Sequence, residues 1–211
     1  RFLGRGGQAV KLRYSPTSPY VRKVTVAAIE IGLDDRIERI ATNVWDPASD
    51  IIRDNPLGKV PTLITDDGLV LVESAIIAEY LDSLPHTGPK LFPPNGPARW
   101  QALHVRGLAD GICDAAVARL IETRRPEQER SRASLERQHG KMQRGLDALE
   151  REAASFGNAC TIGEISVGCM LGFLDFRFPR EDWRSRRSAL NTWFLEFATR
   201  RSMLATVPKE A

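Results

Sequence analysis

The chain has 211 residues, 42% hydrophobic and 27% charged, with a formal net charge of +3. That is an ordinary globular composition, long enough to bury one large core or two smaller ones. The small net charge, with no dense Lys/Arg stripe among aromatics, speaks against nucleic acid as a partner. No apolar run reaches the roughly 20 residues of a membrane span.

Residues Arg1 to Gln8 contain no apolar signal-peptide core, and the glycines from Gly4 to Gly7 fit neither phosphate-loop pattern. Ala9 to Tyr14 alternates Val10, Leu12 and Tyr14 on one face, a short strand. Ser15 to Pro19 breaks it. Pro19 suits the first turn of a helix and Ser18 its N-cap. Val21, Val24, Ala28 and Ile31 follow at helical spacing, and Gly32 closes that helix. Arg36 to Ala41 reads as a second strand, and Trp45 to Asp54 as a loop with a short helical piece.

Val60 to Thr65 has the β-branched composition of a strand, Asp67-Gly68 is a hairpin signal, and Leu69 to Val72 is the returning partner. Pro61 cannot donate a ladder hydrogen bond, so it belongs at a strand's first positions or edge, and a cis Val60-Pro61 bond would suit it. In that arrangement the amide and carbonyl of Val60 face outward, able to pair with an extended peptide-like ligand. Ser74 is placed to cap a helix carrying Ile77, Tyr80, Leu81 and Leu84. Free N–H groups and the positive dipole at such a helix start attract a carboxylate. Asp34-Asp35 and Asp66-Asp67 are paired acids, but each sits in a turn and needs no catalytic reading.

Prolines and glycines from Leu84 to Pro97 mark a stiff linker. Beyond it no strand pattern appears. Ala98 to Thr123 and Glu127 to Ala153 read as a helical pair joined at Arg125-Pro126, the second with Leu135, Met142, Leu146 and Leu149 as its apolar stripe. Thr161 to Glu164 is a capping box flanked by Cys160 and Ile165 at staple positions. The helix it opens is apolar nearly all round, the expected centre of this region, with Gly168 and Gly172 admitting a close neighbour. Ser188 to Thr199 is a last helix, and Met203 to Ala211 trails off. Cys113, Cys160 and Cys169 are odd in number and lack metal-ligand spacing. Buried free thiols in a reducing compartment are expected, hence a cytoplasmic protein without a bound metal.

Asn55-Pro56-x-Gly58-Lys59-Val60-Pro61-x-Leu63, followed by Glu73-Ser74, resembles the glutathione-site signature of the cytosolic glutathione S-transferase superfamily. The Thr161 box resembles that family's equivalent helix start, which usually has Asp where Glu164 stands. Ser18-Pro19-Tyr20 is similar to the family's Cys-Pro-aromatic site with Ser in place of Cys. The resemblance implies an α/β N-terminal thioredoxin-like domain over residues 1–84, a linker over 85–97 and an all-α helical-bundle domain over 98–211. It also implies a homodimer.

The resemblance implies glutathione as co-substrate, with Glu73 on the γ-glutamyl ammonium and Ser74 on its carboxylate. Val60 then pairs with the cysteinyl main chain, Lys59 reaches the glycyl carboxylate, and Pro61 is structural. The chemical task is to hold the thiol, whose free pKa is about 8.5, as thiolate. Ser18 is the first candidate for that hydrogen bond; Ser15 and Thr17 are rivals in the same loop. A plain N-cap role for Ser18 stands beside the catalytic one. A serine forms no mixed disulfide, which favours conjugation to a small electrophile over thiol transfer. A second-substrate pocket is expected between the domains, with Trp100, His104, Arg106, Leu108 and Asp110 as candidates, although a lone histidine is more often a satisfied surface residue. Two competing readings are a non-catalytic binding protein on the same fold and a glutathione-dependent peroxidase or reductive enzyme.

Overall fold

The computed structural model describes residues 10–157 and 160–210. Residues 1–8 and Ala9, the first residue of the expected opening strand, lie outside that range. The chain divides into two compact units, the first closing at Phe92 and the second running Pro93–Val207.

The first unit is a four-stranded sheet with two helices. Strand β1 (Val10–Tyr14) leads into α1 (Pro19–Glu30), then β2 (Ile37–Ala41), β3 (Thr62–Ile64), β4 (Val70–Val72) and α2 (Ser74–Ser83). The strand order is β2-β1-β3-β4, with β1 parallel to β2 and antiparallel to β3. Leu12 and Leu63 stand opposite one another and are wholly buried, and Val24, Ala27, Ile77 and Leu81 of the two helices complete the core. Burying the Leu, Ile and Val side chains among these stabilises the fold by about 1.5–3 kcal/mol each.

Two expectations shift here. Strand β3 is shorter than its apolar run, because Val60 and Pro61 belong to the loop before it. Residue Glu73, not Ser74, is the N-cap of α2: its carboxylate accepts the Ser74 N–H at 2.8 Å, and Ser74 is the first helical residue. The expected linker is also less free than its prolines suggest. Asp82, buried at the end of α2, accepts the N–H groups of Leu91 at 2.9 Å and Phe92 at 3.2 Å, and both of those side chains are buried. Gly88 lies so close to α1 that an added Cβ would come within 2.5 Å of the Ile31 Cα.

The second unit is helical among the described residues: α3 (Gly96–Thr123), α4 (Arg132–Glu152), α5 (Ile162–Arg177), α6 (Ser188–Phe197) and a short α7 (Arg201–Ala205) that the sequence does not announce. Helix α4 starts later than its polar lead-in suggests, because Ser131 caps it through Ser134 N–H. The capping box forms as expected, with Thr161 N–H donating to Glu164 at 2.9 Å and Gly163 N–H to Thr161 Oγ1 at 3.2 Å. It opens the most buried helix of the unit, where Ile165, Val167, Met170 and Leu171 have no exposed surface. Gly163 packs on α3 and Gly168 on the Phe197 ring. Cys113, Cys160 and Cys169 are buried and form no disulfide among the described residues.

Candidate functional site

Sheet register brings the motif residues of the first unit to one end. Arg13 pairs with Thr62 and Thr62 with Val72. Strand β1 therefore ends, β3 begins and β4 ends along one edge. The loop Ser15–Ser18, the Val60-Pro61 step and Glu73-Ser74 all emerge there. Tyr14 pairs with Ala41 and accepts the Thr42 N–H at 2.9 Å, so β2 ends there as well. Ligands of open α/β sheets gather at such carboxyl ends of strands.

Ser18 caps α1 by accepting the Val21 N–H at 3.3 Å, and its own hydroxyl proton meets no acceptor among the described residues. Its oxygen thus sits at the positive end of α1 with a donor to spare. Ser15 and Thr17 bond to each other, Oγ to Oγ1 at 3.3 Å, so one of their protons is already engaged.

Val60-Pro61 is cis. Neither the N–H nor the C=O of Val60 finds a partner among the described residues, and the residue is half-buried. An unpaired backbone edge of this kind is a template for an extended chain. The step is held from beneath by Asn55. Its buried amide donates to the Lys59 carbonyl and to Thr62 Oγ1, each at 3.0 Å, and its oxygen accepts the Leu57 N–H at 3.0 Å. The Lys59 side chain itself is exposed.

Glu73 is the one described non-glycine residue with a positive φ, 76°. Such a backbone costs on the order of 1–3 kcal/mol and persists where surrounding structure enforces it, commonly at ligand sites. Its carboxylate holds both the N–H and, at 3.4 Å, the hydroxyl of Ser74. Lys23 reaches the same hydroxyl from α1 at 3.2 Å, although the side chain is 2% exposed. The free N–H groups at the start of α2 thus hold an internal carboxylate, that of Glu73.

Lys23 and the supporting role of Asn55 are absent from the sequence reading. An Asn before Pro-x-Gly signals an Asx turn, so Asn55 could have been found that way. A lysine in a helix carries no such signal.

The α3 candidates do not share one face. Trp100 and His104 are exposed, and His104 Nε2 pairs with Glu152 of α4 at 3.0 Å beside Gln101. Arg106 and Asp110, 3.8 Å apart, are half-buried, about 200° around the helix from His104 and Asp110 one turn beyond. Leu108 is half-buried between these directions. The buried Nε of Arg106 makes no hydrogen bond. Among the described residues no cluster of His, Cys, Asp or Glu could hold a metal, and no helix is long and apolar enough to cross a membrane.

Comparison with known proteins bears on the family and the fold. The family profiles described as Glutathione S-transferase, N-terminal domain and C-terminal domain match residues 17–84 and 132–196. The chain is 32% identical to the uncharacterized GST-like protein YibF of Escherichia coli K12 over 96% of its own length and all of that protein. A glutathione transferase family member from Pseudomonas fluorescens Pf-5, solved with bound glutathione, superposes with a TM-score of 0.91 at 40% identity, over 96% of this chain and all of that one. A glutathione S-transferase from Methylobacillus flagellatus, also solved with glutathione, gives 0.89 at 36% over 95% of this chain and all of that one.

Proposed function

The chain belongs to the glutathione S-transferase superfamily and has its fold, and on that footing we propose that it binds glutathione and activates the thiol for attack on a small, hydrophobic electrophile. The observation that carries the reading is the convergence, by strand register, of three groups on one edge of the sheet. These are the unpaired main chain of Val60, the anion-binding start of α2 and the spare hydroxyl proton of Ser18. They match the three demands of a γ-glutamyl tripeptide: a backbone partner, a carboxylate partner and a thiolate partner.

In this reading the γ-glutamyl carboxylate takes the Ser74 N–H and hydroxyl, and Glu73 swings from them to the ligand's ammonium. Val60 pairs with the cysteinyl unit in the manner of an added strand. Pro61 shapes the step and Lys59 meets the glycyl carboxylate. The cysteinyl sulfur then lies by Ser18, whose O–H and the α1 dipole stabilise the thiolate. Sulfur forms a bond to the electrophilic carbon as its leaving group departs, and the thiol proton passes to solvent. Positioning and charge stabilisation supply the rate, with no covalent enzyme intermediate. Arg106 and Asp110 of α3 are the residues carried forward for the second substrate, as half-buried charged groups one helical turn apart. The exposed Leu69 just before β4, Val70 on β4 and Ile76 on α2 support a homodimer.

The test is calorimetric titration of the full chain with glutathione, followed by turnover of an aryl chloride. Binding with conjugation supports the proposal. Binding without turnover, or turnover of a hydroperoxide in preference, replaces conjugation with the corresponding rival chemistry, and no binding at millimolar glutathione overturns the reading.

A further inference from the structure

Residues 43–54 lead from β2 to Asn55 through turns whose hydrogen bonds are local: Trp45 N–H to Asn43, Ala48 N–H to Asp46 and Asp54 N–H to Ile51. Ile51 is the one buried residue among them. Two of their side chains bond to the sheet among the described residues, and both bond to Arg13 of β1. Its guanidinium gives Nε to Asp54 Oδ2 at 2.7 Å, Nη1 to Asp50 Oδ1 at 2.8 Å and Nη2 to Asp50 Oδ2 at 3.2 Å. The Asp54 side chain is 24% exposed and that of Asp50 51%, so the Asp54 contact is the better shielded from water.

Arg13 also stands opposite Thr62 across β1 and β3. Asp54 adjoins Asn55, whose amide donates to Thr62 Oγ1 and to the Lys59 carbonyl. A closed circuit therefore runs from the Arg13 side chain through Asp54, Asn55 and Thr62 back to the Arg13 main chain, and the Val60-Pro61 step lies within it. We propose that Arg13 is a positioning residue for the Val60 edge, an inference that rests on the glutathione reading above. It acts through Asp54 and Asn55, setting where the cysteinyl main chain docks. The γ-glutamyl end, met by Glu73 and Ser74 after β4, lies outside the circuit. A lysine cannot close it equally well, because the planar fork that spans two carboxylates belongs to arginine.

The experiment titrates wild type, Arg13→Met, Arg13→Lys and Asp54→Asn with glutathione and with γ-glutamylmethylamide, the γ-glutamyl end alone, followed by NMR so that millimolar affinities are read. Thermal unfolding checks that each variant is folded, and Asp54→Asn carries the comparison if Arg13→Met is not. Arg13→Met is expected to weaken glutathione about ten-fold, because small displacements of a docking group are costly, and to leave γ-glutamylmethylamide unchanged. Asp54→Asn follows it in kind, and Arg13→Lys falls between Arg13→Met and wild type. Glutathione affinity equal to that of wild type in folded Arg13→Met or Asp54→Asn overturns the inference. Equal weakening of both ligands does so too, since it marks a merely structural arginine. Wild type failing to bind glutathione at all is a separate result that overturns the glutathione reading itself, and this inference with it.

Discussion

Asn55 donates to Thr62 Oγ1 at 3.0 Å with both side chains buried, and that bond ties the loop carrying Val60 to the first residue of β3. Thr62 passes its own proton to the Lys59 carbonyl at 2.8 Å, so the three residues close a small ring of hydrogen bonds under the Val60-Pro61 step. Asn55→Ala leaves that carbonyl and the Leu57 N–H short of partners. The expected loss is about 1–3 kcal/mol of stability by urea unfolding. Glutathione affinity should fall with it, although Asn55 lies beneath the binding edge.

Glu73 holds a backbone that glycine adopts without penalty. Glu73→Gly should therefore keep or raise stability, since relief of about 1 kcal/mol or more of strain offsets a cap contribution that glycine largely preserves. Glutathione affinity should drop about ten-fold as the ammonium loses its partner. Denaturation and calorimetry on one preparation check both halves. A variant that is both weaker in binding and far less stable would place Glu73 in the scaffold only.

Ser18 serves a cap and, in the proposed chemistry, a thiolate donor, and two substitutions separate these. Ser18→Ala removes both, with about 1 kcal/mol of stability and most of the turnover. Ser18→Asp keeps a good cap but sets a negative charge beside the sulfur, so stability should hold while bound glutathione titrates at higher pH. The ultraviolet absorbance of the thiolate reads that shift directly. Parallel Ser15→Ala and Thr17→Val proteins should retain activity, and loss of turnover in either one instead would move the donor role to it.

Arg13 bonds to Asp50 at 2.8 Å and to Asp54 at 2.7 Å, fastening the segment before β3 to β1. Its guanidinium holds the Asp50 carboxyl below the usual carboxylate range. A carboxyl lowered in the folded state adds stability that is fully present above its unfolded pKa and disappears as pH falls through the folded value. Arg13→Met should accordingly be less stable than wild type at neutral pH, with the difference shrinking in acid below the ordinary carboxylate range. Urea midpoints across a pH series check the sign.

Much of the fold was legible because its signals are local. The Asp67-Gly68 turn, the Ser18-Pro19 helix start and the Thr161 capping box each fix their own surroundings. The site motif was legible because it is a contiguous string. What escaped depends on distant partners. The cap of α2 moved to Glu73 because a positive φ is not written in side-chain type. The first half of the proline-rich stretch packs on the first unit because Asp82 accepts its amides. Lys23 looks like a solvated helix residue until Ser74, 51 positions away, is placed beside it. The α3 candidates separated for a geometric reason: helix rotation sends His104 and Arg106 in different directions.

The β3–β4 hairpin turns over at Asp66 to Gly68, three exposed residues on the edge of the sheet remote from Val60 and Ser74. A reporter dye or affinity handle spliced into that turn would ride on the same two strands without crowding the ligand. Such a graft offers a way to watch glutathione arrive while every residue that greets it keeps its native neighbours.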